Sequence, residues 1–413
     1  MRRGGSKTGR PAGPPLPRGF GSLWLTVALD LVGFGIVIPV LPLYAKDFGA
    51  SPFVIGLLLA GYSLGQFLGA PVLGRLSDRL GRKPVLLLAV AGSALGNLVT
   101  GMAGSLAVLF VARLIDGLSG ASVAVANAAV ADLAPPAQRT RLFGMLGAAF
   151  GIGFVVGPAI GGLASFGGRS LPFYVAAGLA VLNGLLAWRR VPETRPVARP
   201  ARQSVGAPQG RVAAAAALFK RRDRLSKLVL VSTIGVFAFT ALESTFSLMT
   251  HARLGLGPAG VAVAFVCMGV LLTVLQAGAT AKVVRKLGDV PTVRVALLCN
   301  LAGFLVLALG WSWPGVVLGT GFLVTGQGLL TPALSTAIAG DASESQRGFV
   351  FGVQQSAGAL ARVAGPLVAL GLFGRVGVGA PYVVAALAVV VGLVVAARLL
   401  PRPASAGSSG SVS

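Results

Sequence analysis

Residues 74–83 read Gly74-Arg75-Leu76-Ser77-Asp78-Arg79-Leu80-Gly81-Arg82-Lys83 and decide the fold of this 413-residue chain. Apolar stretches at 53–73 and 84–103 flank them, and a membrane-spanning helix needs about 20 apolar residues. The quoted stretch is therefore a short charged loop between two membrane helices. It fits the pattern G-x-L-x-D-R-x-G-R-[KR], which is specific because only 11% of the chain is charged.

The composition predicts an all-α membrane protein. The chain is 55% hydrophobic, and soluble proteins carry about twice its share of charged residues. Its apolar runs do not alternate with polar residues, as the strands of a membrane barrel would. Twelve transmembrane helices are predicted, at roughly 22–44, 53–73, 84–103, 106–130, 140–164, 171–190, 226–250, 259–283, 291–310, 314–338, 347–371 and 379–400.

The distribution of basic residues predicts the orientation. With the N-terminus in the cytoplasm, 29 of the 35 Lys and Arg residues fall in inward loops and tails. This positive-inside bias places both termini in the cytoplasm. The net charge of +24 then reflects membrane insertion and attraction to anionic lipid, so no nucleic-acid partner is expected.

The sequence offers little for catalysis or metal binding. Cys267 and Cys299 fall in predicted spans, and His251 is the single histidine. No nucleophile–base pair can be assembled and no phosphate-binding G-x-x-x-x-G-K-[ST] motif occurs, so we expect neither an enzyme nor an ATP-driven pump. No cofactor and no metal are expected, and an ion gradient would supply the energy.

The two halves of the chain repeat. Gly157-Pro158 recurs 208 residues later as Gly365-Pro366, and Leu80-Gly81 recurs 207 residues later as Leu287-Gly288. A six-helix unit repeated in parallel explains both offsets. The predicted organisation is a disordered cytoplasmic N-terminus at 1–19, a first half at 20–190, a cytoplasmic linker at 191–224, a second half at 225–400 and a disordered cytoplasmic tail at 401–413.

The charged loop resembles the loop between helices 2 and 3 of the major facilitator superfamily. The resemblance implies a twelve-helix fold of two six-helix pseudo-repeats with a substrate site between them. It also implies a cytoplasmic latch between the halves when the site faces outward. The alternative is that these charges only orient the chain. The latch residues would be Gly74, Asp78, Arg79, Gly81, Arg82 and Lys83.

Helix 5 carries a second resemblance. Residues 153–162 fit G-x-x-x-G-P-x-x-G-G, which is similar to the antiporter motif of drug/proton exporters in this superfamily. The proline bends the helix, and the glycines are expected to allow tight contact with the opposite half. The motif residues are Gly153, Gly157, Pro158, Gly161 and Gly162.

Charged residues inside membrane helices are costly and often functional. Asp30 opens an L-D-x-x-G-x-G run that resembles helix 1 of bacterial tetracycline-type exporters. A carboxylate buried without a firm partner can bind and release protons near neutrality, so Asp30 is a candidate proton-coupling residue. The alternative is a static hydrogen-bond acceptor.

Arg113 and Asp116 form a second candidate for proton coupling. They lie in an R-x-x-x-G-x-x-[GA] pattern that resembles the helix 4 motif of the superfamily, whose arginine is linked to proton transfer. Asp116 stands where many exporters carry glutamine. The spacing of three residues places both side chains on one helix face, so a purely structural ion pair is the alternative.

Glu243 in helix 7 is the embedded acid of the second repeat and completes the proton-coupling candidates. The resemblance implies a cavity lined by helices 1, 4, 7 and 10, and the predicted substrate-cavity residues are Asp30, Glu243, Arg362 and Gln327. Glu243 would recognise a cation or a proton, or it would pair with Arg362. The positive charge of Arg362 makes an anionic substrate a further alternative.

These motifs predict a proton-coupled exporter of small lipophilic compounds, of the multidrug and antibiotic-resistance type. We expect a monomer in the bacterial cytoplasmic membrane, with substrate, protons and lipid as partners. The alternatives are an exporter of a sugar, amino acid or siderophore, and a transporter-like sensor without flux. Tetracycline exporters of the nearest type carry an acid in helix 3, a histidine in helix 8 and an acid in helix 9. Here helix 3 carries Asn97 and no acid, and helices 8 and 9 carry no histidine or embedded acid, so the resemblance does not imply tetracycline as the substrate.

Overall fold

The computed structural model describes residues 15–120, 122–133, 138–194, 223–275, 280–310, 312–342 and 344–399, and these residues form helices and connecting turns. Most of the expected linker and of both tails lies outside the described residues. The helices are α1 Phe20–Asp47, α2 Pro52–Leu80, α3 Arg82–Gly101, α4 Leu106–Ser119, α5 Ser122–Leu133, α6 Arg139–Ser165, α7 Leu171–Arg190, α8 Arg224–Leu254, α9 Pro258–Val274, α10 Thr280–Leu287, α11 Asp289–Leu309, α12 Trp313–Asp341, α13 Glu344–Arg375 and α14 Ala380–Ala397.

The helices occupy the places of the twelve predicted spans. Within the described residues, ten segments are long and apolar enough to cross a membrane, and α4 with most of α5 forms one of them, Leu106–Val130. The shorter apolar helices Gly151–Ser165, within α6, and Pro258–Val274, which is α9, occupy the fifth and eighth places. The prediction of an all-α membrane fold is confirmed.

The internal repeat is visible in the backbone. Gly81 precedes α3 with a φ of 102°, and Gly288 precedes α11 with a φ of 85°. A side chain is strained at positive φ, so both sites favour glycine. These two residues are the pair that the sequence offset of 207 relates, which makes the turn before the third helix of each half structurally equivalent.

The two halves touch at the end of the bundle opposite the charged loop. An added Cβ at Gly374 on α13 would lie 3.3 Å from Pro52 at the start of α2. Gly162 on α6 lies against Ala262 on α9, and Ser247 on α8 donates a hydrogen bond to the Pro39 carbonyl at 3.1 Å. All these contacts join a helix of the first half to one of the second. We call this the contact end and the other the charged-loop end.

The antiporter-motif glycines mostly face their own half. An added Cβ at Gly153 would lie 2.7 Å from the Leu31 carbonyl oxygen, and one at Gly161 would lie 2.6 Å from that of Ile36. Only Gly162 of the motif glycines faces the second half. The expectation that these glycines contact the opposite half is therefore wrong for Gly153, Gly157 and Gly161. The reason is that they face the backbone of α1, which lets α1 and α6 pack closely.

Gly157→Ala is expected to destabilise the protein by about 1–3 kcal/mol, the usual range for overpacking a core. The new Cβ would lie 2.6 Å from the Gly35 Cα and 2.7 Å from the Val32 carbonyl oxygen, and only movement of whole helices relieves backbone contacts of this kind. Thermal unfolding of the purified protein in detergent measures the effect. Gly178→Ala on α7 is the matched control, because nothing lies within 4 Å of its added Cβ. Equal unfolding temperatures for Gly157→Ala and wild type would contradict the close crossing.

Candidate functional site

A small polar cavity lies inside the first half, between α1, α2, α3, α4 and α7, and we call it the N-half cavity. The space open to a water-sized molecule is about 20 Å³, which is room for one water or one dehydrated ion. It is lined by Leu29, Asp30, Gly33, Phe34, Tyr62, Ser93, Asn97, Asp116, Ala176 and Ala180.

Asp30 has a hydroxyl as its partner in this cavity. Ser122 Oγ donates to Asp30 Oδ2 at 2.5 Å. Among the described residues, no Lys or Arg nitrogen lies within 4 Å of the carboxylate. A hydroxyl stabilises a carboxylate anion less than a cation does.

Ser122 lies in the fourth span. Helix α4 ends at Ser119, and Ser122 is the first described residue of α5. The Gly120 carbonyl accepts a hydrogen bond from Gln66 Nε2 at 2.7 Å. Ser122 was missed in the sequence because small residues of this kind are ordinary at the interfaces of membrane helices.

Arg113 and Asp116 form the predicted ion pair. Arg113 NH2 lies 2.6 Å from Asp116 Oδ2, and the side chains are 3% and 8% exposed. Ser93 Oγ donates to Asp116 Oδ1 at 2.9 Å, and the Arg113 guanidinium lies 5.5 Å from the centre of the Tyr62 ring. Each oxygen of Asp116 therefore has a partner, whereas Asp30 accepts one hydrogen bond.

Close helix crossings hold this group of side chains in place. An added Cβ at Gly96 on α3 would lie 2.7 Å from the Asp116 Cβ, and one at Gly65 on α2 would lie 3.0 Å from the Leu118 nitrogen. The Tyr62 ring also stacks on Phe34 with 5.4 Å between ring centres. The two glycines let α2 and α3 approach α4 closely enough for Ser93 and Tyr62 to reach the Arg113–Asp116 pair.

A second cavity lies between the halves, and we call it the inter-half cavity. Helices α8, α9 and α12 of the second half form most of it, and Phe154 on α6 closes it from the first half. The space in it that is open to a water-sized molecule is about 30 Å³. It is lined by Phe154, Phe239, Leu242, Glu243, Phe246, Phe265, Met268, Gly269, Leu272, Val324 and Gln327.

The inter-half cavity is apolar apart from two side chains. Glu243 on α8 supplies a carboxylate and Gln327 on α12 supplies an amide, and both were predicted to face a substrate. Four phenylalanines and Met268 supply the walls. Phenylalanine and methionine are ordinary packing residues in membrane helices, so their presence in a sequence does not mark a cavity.

The four predicted cavity residues do not share one cavity. Glu243 and Gln327 line the inter-half cavity, and Asp30 lines the N-half cavity. Arg362 on α13 is not among the described residues lining either one. It interacts electrostatically with Glu243 and Tyr62, but no ion pair within 4 Å joins it to Glu243. Asp30 lies in a different cavity from Glu243 because the face of α1 that carries Asp30 packs toward α3 and α4 and not toward the second half.

Residues 74–83 were expected to form a loop, but residues 74–80 belong to α2, Arg82 and Lys83 begin α3, and Gly81 alone connects the two helices. The described contacts of this charged segment lie within the first half. Arg82 lies 2.7 Å from Asp78 Oδ1 and 2.9 Å from Asp132 Oδ2 on α5. The Glu193 carboxylate accepts from the backbone amides of Arg82 at 2.8 Å and Lys83 at 3.1 Å. An anion at a helix N-terminus satisfies amides that have no partner within the helix. In this arrangement the loop is tied to α5 and to the residues after α7.

Comparison with known proteins agrees with this architecture. Residues 23–366 match the Major Facilitator Superfamily. The tetracycline resistance protein, class B, of Escherichia coli is 32% identical over 347 residues, which cover 82% of this chain and 84% of that protein. Major facilitator superfamily domain-containing protein 10 of Homo sapiens is 32% identical over 424 residues, covering 90% of this chain and 91% of that protein.

Solved structures give the same result. The crystal structure of the human organic anion transporter MFSD10 has a TM-score of 0.72 and 29% identity, and the match covers 93% of this chain and all of that one. The nucleoside transporter NupG has a TM-score of 0.75 at 15% identity, covering 92% of this chain and 98% of that one, which shows the fold alone. A match over most of the chain, together with relatives of 32% identity, shows that this protein belongs to the major facilitator superfamily and is a multi-pass membrane transporter.

Proposed function

We propose that this protein is a proton-coupled secondary exporter of small lipophilic compounds. The observation that carries the proposal is the inter-half cavity, which combines four phenylalanines with one carboxylate and one amide. Aromatic walls bind apolar compounds of varied shape, and the Glu243 carboxylate favours those that carry a positive charge. The tetracycline resistance relatives support export as the direction of transport.

The proton would bind in the first half. Asp30 accepts one hydrogen bond from Ser122, while Asp116 is neutralised by Arg113. Of the two candidate acids in the first half, Asp30 is therefore the one whose negative charge is less stabilised by its partners. Glu243 would bind the substrate in the second half. Proton and substrate must each bias the same conformational equilibrium for coupling to result.

Rocking of the halves would connect the two events. The described structure has the halves in contact at the contact end, as expected for a state in which the substrate site opens toward the charged-loop end. In the opposite state, Asp78 and its neighbours Gly74, Arg79, Gly81, Arg82 and Lys83 would form the latch between the halves. Tight packing of α1 on α6 would move the first half as one body.

The membrane setting completes the proposal. The bacterial cytoplasmic membrane fits the tetracycline resistance relatives, and the distribution of Lys and Arg supports an orientation with both termini in the cytoplasm. The charged-loop end is then the cytoplasmic end. We propose that a single copy of the chain performs the transport, because both cavities are built from one chain.

Export of organic anions is the second candidate. The human MFSD10 structure is described as an organic anion transporter, and Arg362 here makes no ion pair with an acid among the described residues. Because Arg362 is not among the described residues that line the inter-half cavity, the cavity favours a cationic substrate. To bind an anion there, Arg362 would have to turn toward the cavity and neutralise the Glu243 carboxylate.

Inside-out vesicles with an acidic interior test the proposal. Adding a lipophilic cation is expected to release protons from vesicles that contain the protein and not from matched vesicles without it. A lipophilic anion of similar size, added in parallel, separates the two candidates. Proton release with the cation supports the proposal, and release with the anion alone favours the second candidate. No release with either compound would overturn proton-coupled export of lipophilic compounds.

A further inference from the structure

The N-half cavity contains an acceptor without a donor. Asn97 on α3 is 5% exposed, and its Nδ2 donates to the Ser93 carbonyl at 2.9 Å. Its Oδ1 is buried and has no hydrogen-bond partner. A buried polar atom without a partner is unfavourable and points to a water or ion that completes its shell.

The cavity around this oxygen carries one negative charge in excess. Among its lining residues, Asp30 on α1 and Asp116 on α4 carry carboxylates, and Tyr62 on α2 carries a neutral phenol. Arg113 on α4 faces the group and neutralises Asp116. The lining residues from α3 and α7 are uncharged. Arg362 on α13 does not line the cavity, and it interacts electrostatically with Glu243 as well as with Tyr62. One monovalent cation beside the Asp30 carboxylate therefore balances the charge of the cavity.

The available ligands are hard oxygen atoms. Carboxylate, amide and hydroxyl oxygens suit cations such as Na⁺, which soft sulfur ligands do not. The described residues contain no group of three or more His, Cys, Asp or Glu side chains arranged for a metal. The space of about 20 Å³ admits a single dehydrated ion. Charge, ligand type and size thus agree.

We propose that the N-half cavity binds one Na⁺ ion between the Asp30 carboxylate and the Asn97 amide oxygen. The ion would neutralise Asp30 and give the Asn97 oxygen a partner. This site does not depend on the proposed function, because Na⁺ binding by itself assigns no coupling proton.

Thermal unfolding of the purified full chain in detergent tests the site. NaCl is compared with choline chloride at equal ionic strength, because an ion that binds only the folded protein raises the unfolding temperature in a saturable way. Asn97→Leu is expected to weaken the apparent Na⁺ affinity at least about tenfold, as loss of a metal-site partner typically does. Asn97→Asp keeps an oxygen and is expected to retain the response.

Asn183→Leu is the matched control. Asn183 is a buried asparagine on α7 whose Nδ2 donates to the Thr26 carbonyl at 2.9 Å, and it does not line the cavity. Its variant should respond to Na⁺ as wild type does. No difference between Na⁺ and choline for the wild type would overturn the site. Equal responses from the Asn97→Leu and wild-type proteins would overturn the assignment to this cavity. If Asn97→Leu does not fold, Ser93→Ala replaces it, with the same expected loss.

The vesicle experiment is run without Na⁺, so the two proposals fail separately. Absent proton release with intact Na⁺ binding would refute the exporter alone, and the reverse result would refute the Na⁺ site alone.

Discussion

Asp30→Asn is expected to abolish compound-dependent proton release from vesicles while leaving compound binding within about threefold of wild type. The carboxylate lines the N-half cavity and is absent from the lining of the inter-half cavity, so its removal does not alter the walls that contact the compound. Sites that share no partners usually contribute independently. The amide keeps the size of the side chain and can still accept from Ser122, but it cannot exchange a proton near neutral pH.

Asp47→Asn is the matched control on the same helix. Asp47 ends α1 at the contact end, where it pairs with Arg169 in a partly exposed ion pair. Such pairs contribute little to stability, so this variant should release protons as wild type does. If proton release survives in Asp30→Asn, the coupling site moves to Glu243 or Asp116. If compound binding is lost together with proton release, Asp30 belongs to the substrate site after all.

Hydropathy and repetition made the architecture predictable. A segment that crosses a bilayer must be apolar along its whole length and must satisfy its own backbone, so its position can be read from composition alone. The repeat offset then related Gly81 to Gly288, and both adopt a positive φ before the third helix of their half. The ion pair of Arg113 with Asp116 was predictable for a similar reason, because it depends only on helical spacing.

The faces that the helices present to one another were not predictable. Each glycine of the fifth span can face either half, and which one it faces depends on the rotation of α6 about its axis. The rotation of α1 about its own axis likewise places Asp30 toward α3 and α4, while Glu243 on α8, the first helix of the second half, reaches the inter-half cavity. Ser122 escaped notice because its contact with Asp30 depends on how α1 and α5 pack, which hydropathy does not reveal. The role of Asn97 follows from the closed cavity, which only the assembled bundle creates.

Glu243→Gln is expected to weaken binding of a lipophilic cation at least about thirtyfold and to leave a neutral compound of similar shape within about threefold. Among the described residues that line the inter-half cavity, Glu243 is the charged one, and four phenylalanines share the lining with it. Removing one member of a buried charge pair commonly costs 2–5 kcal/mol, and 2 kcal/mol corresponds to roughly thirtyfold in affinity. Equilibrium binding of a fluorescent cation and of its neutral analogue to the purified protein measures both numbers.

Glu243→Asp separates charge from shape in this experiment. It keeps the carboxylate and shortens the side chain by one methylene, so cation binding should fall much less than in Glu243→Gln. Gln354→Leu is a second control, because Gln354 donates to Ser232 at 2.8 Å and does not line the cavity. Equal loss of cation and neutral compound in Glu243→Gln would mean that the residue shapes the cavity without recognising charge. Improved binding of a lipophilic anion in the same variant would show that Glu243 repels anions, and Arg362→Gln would then be expected to reverse that gain.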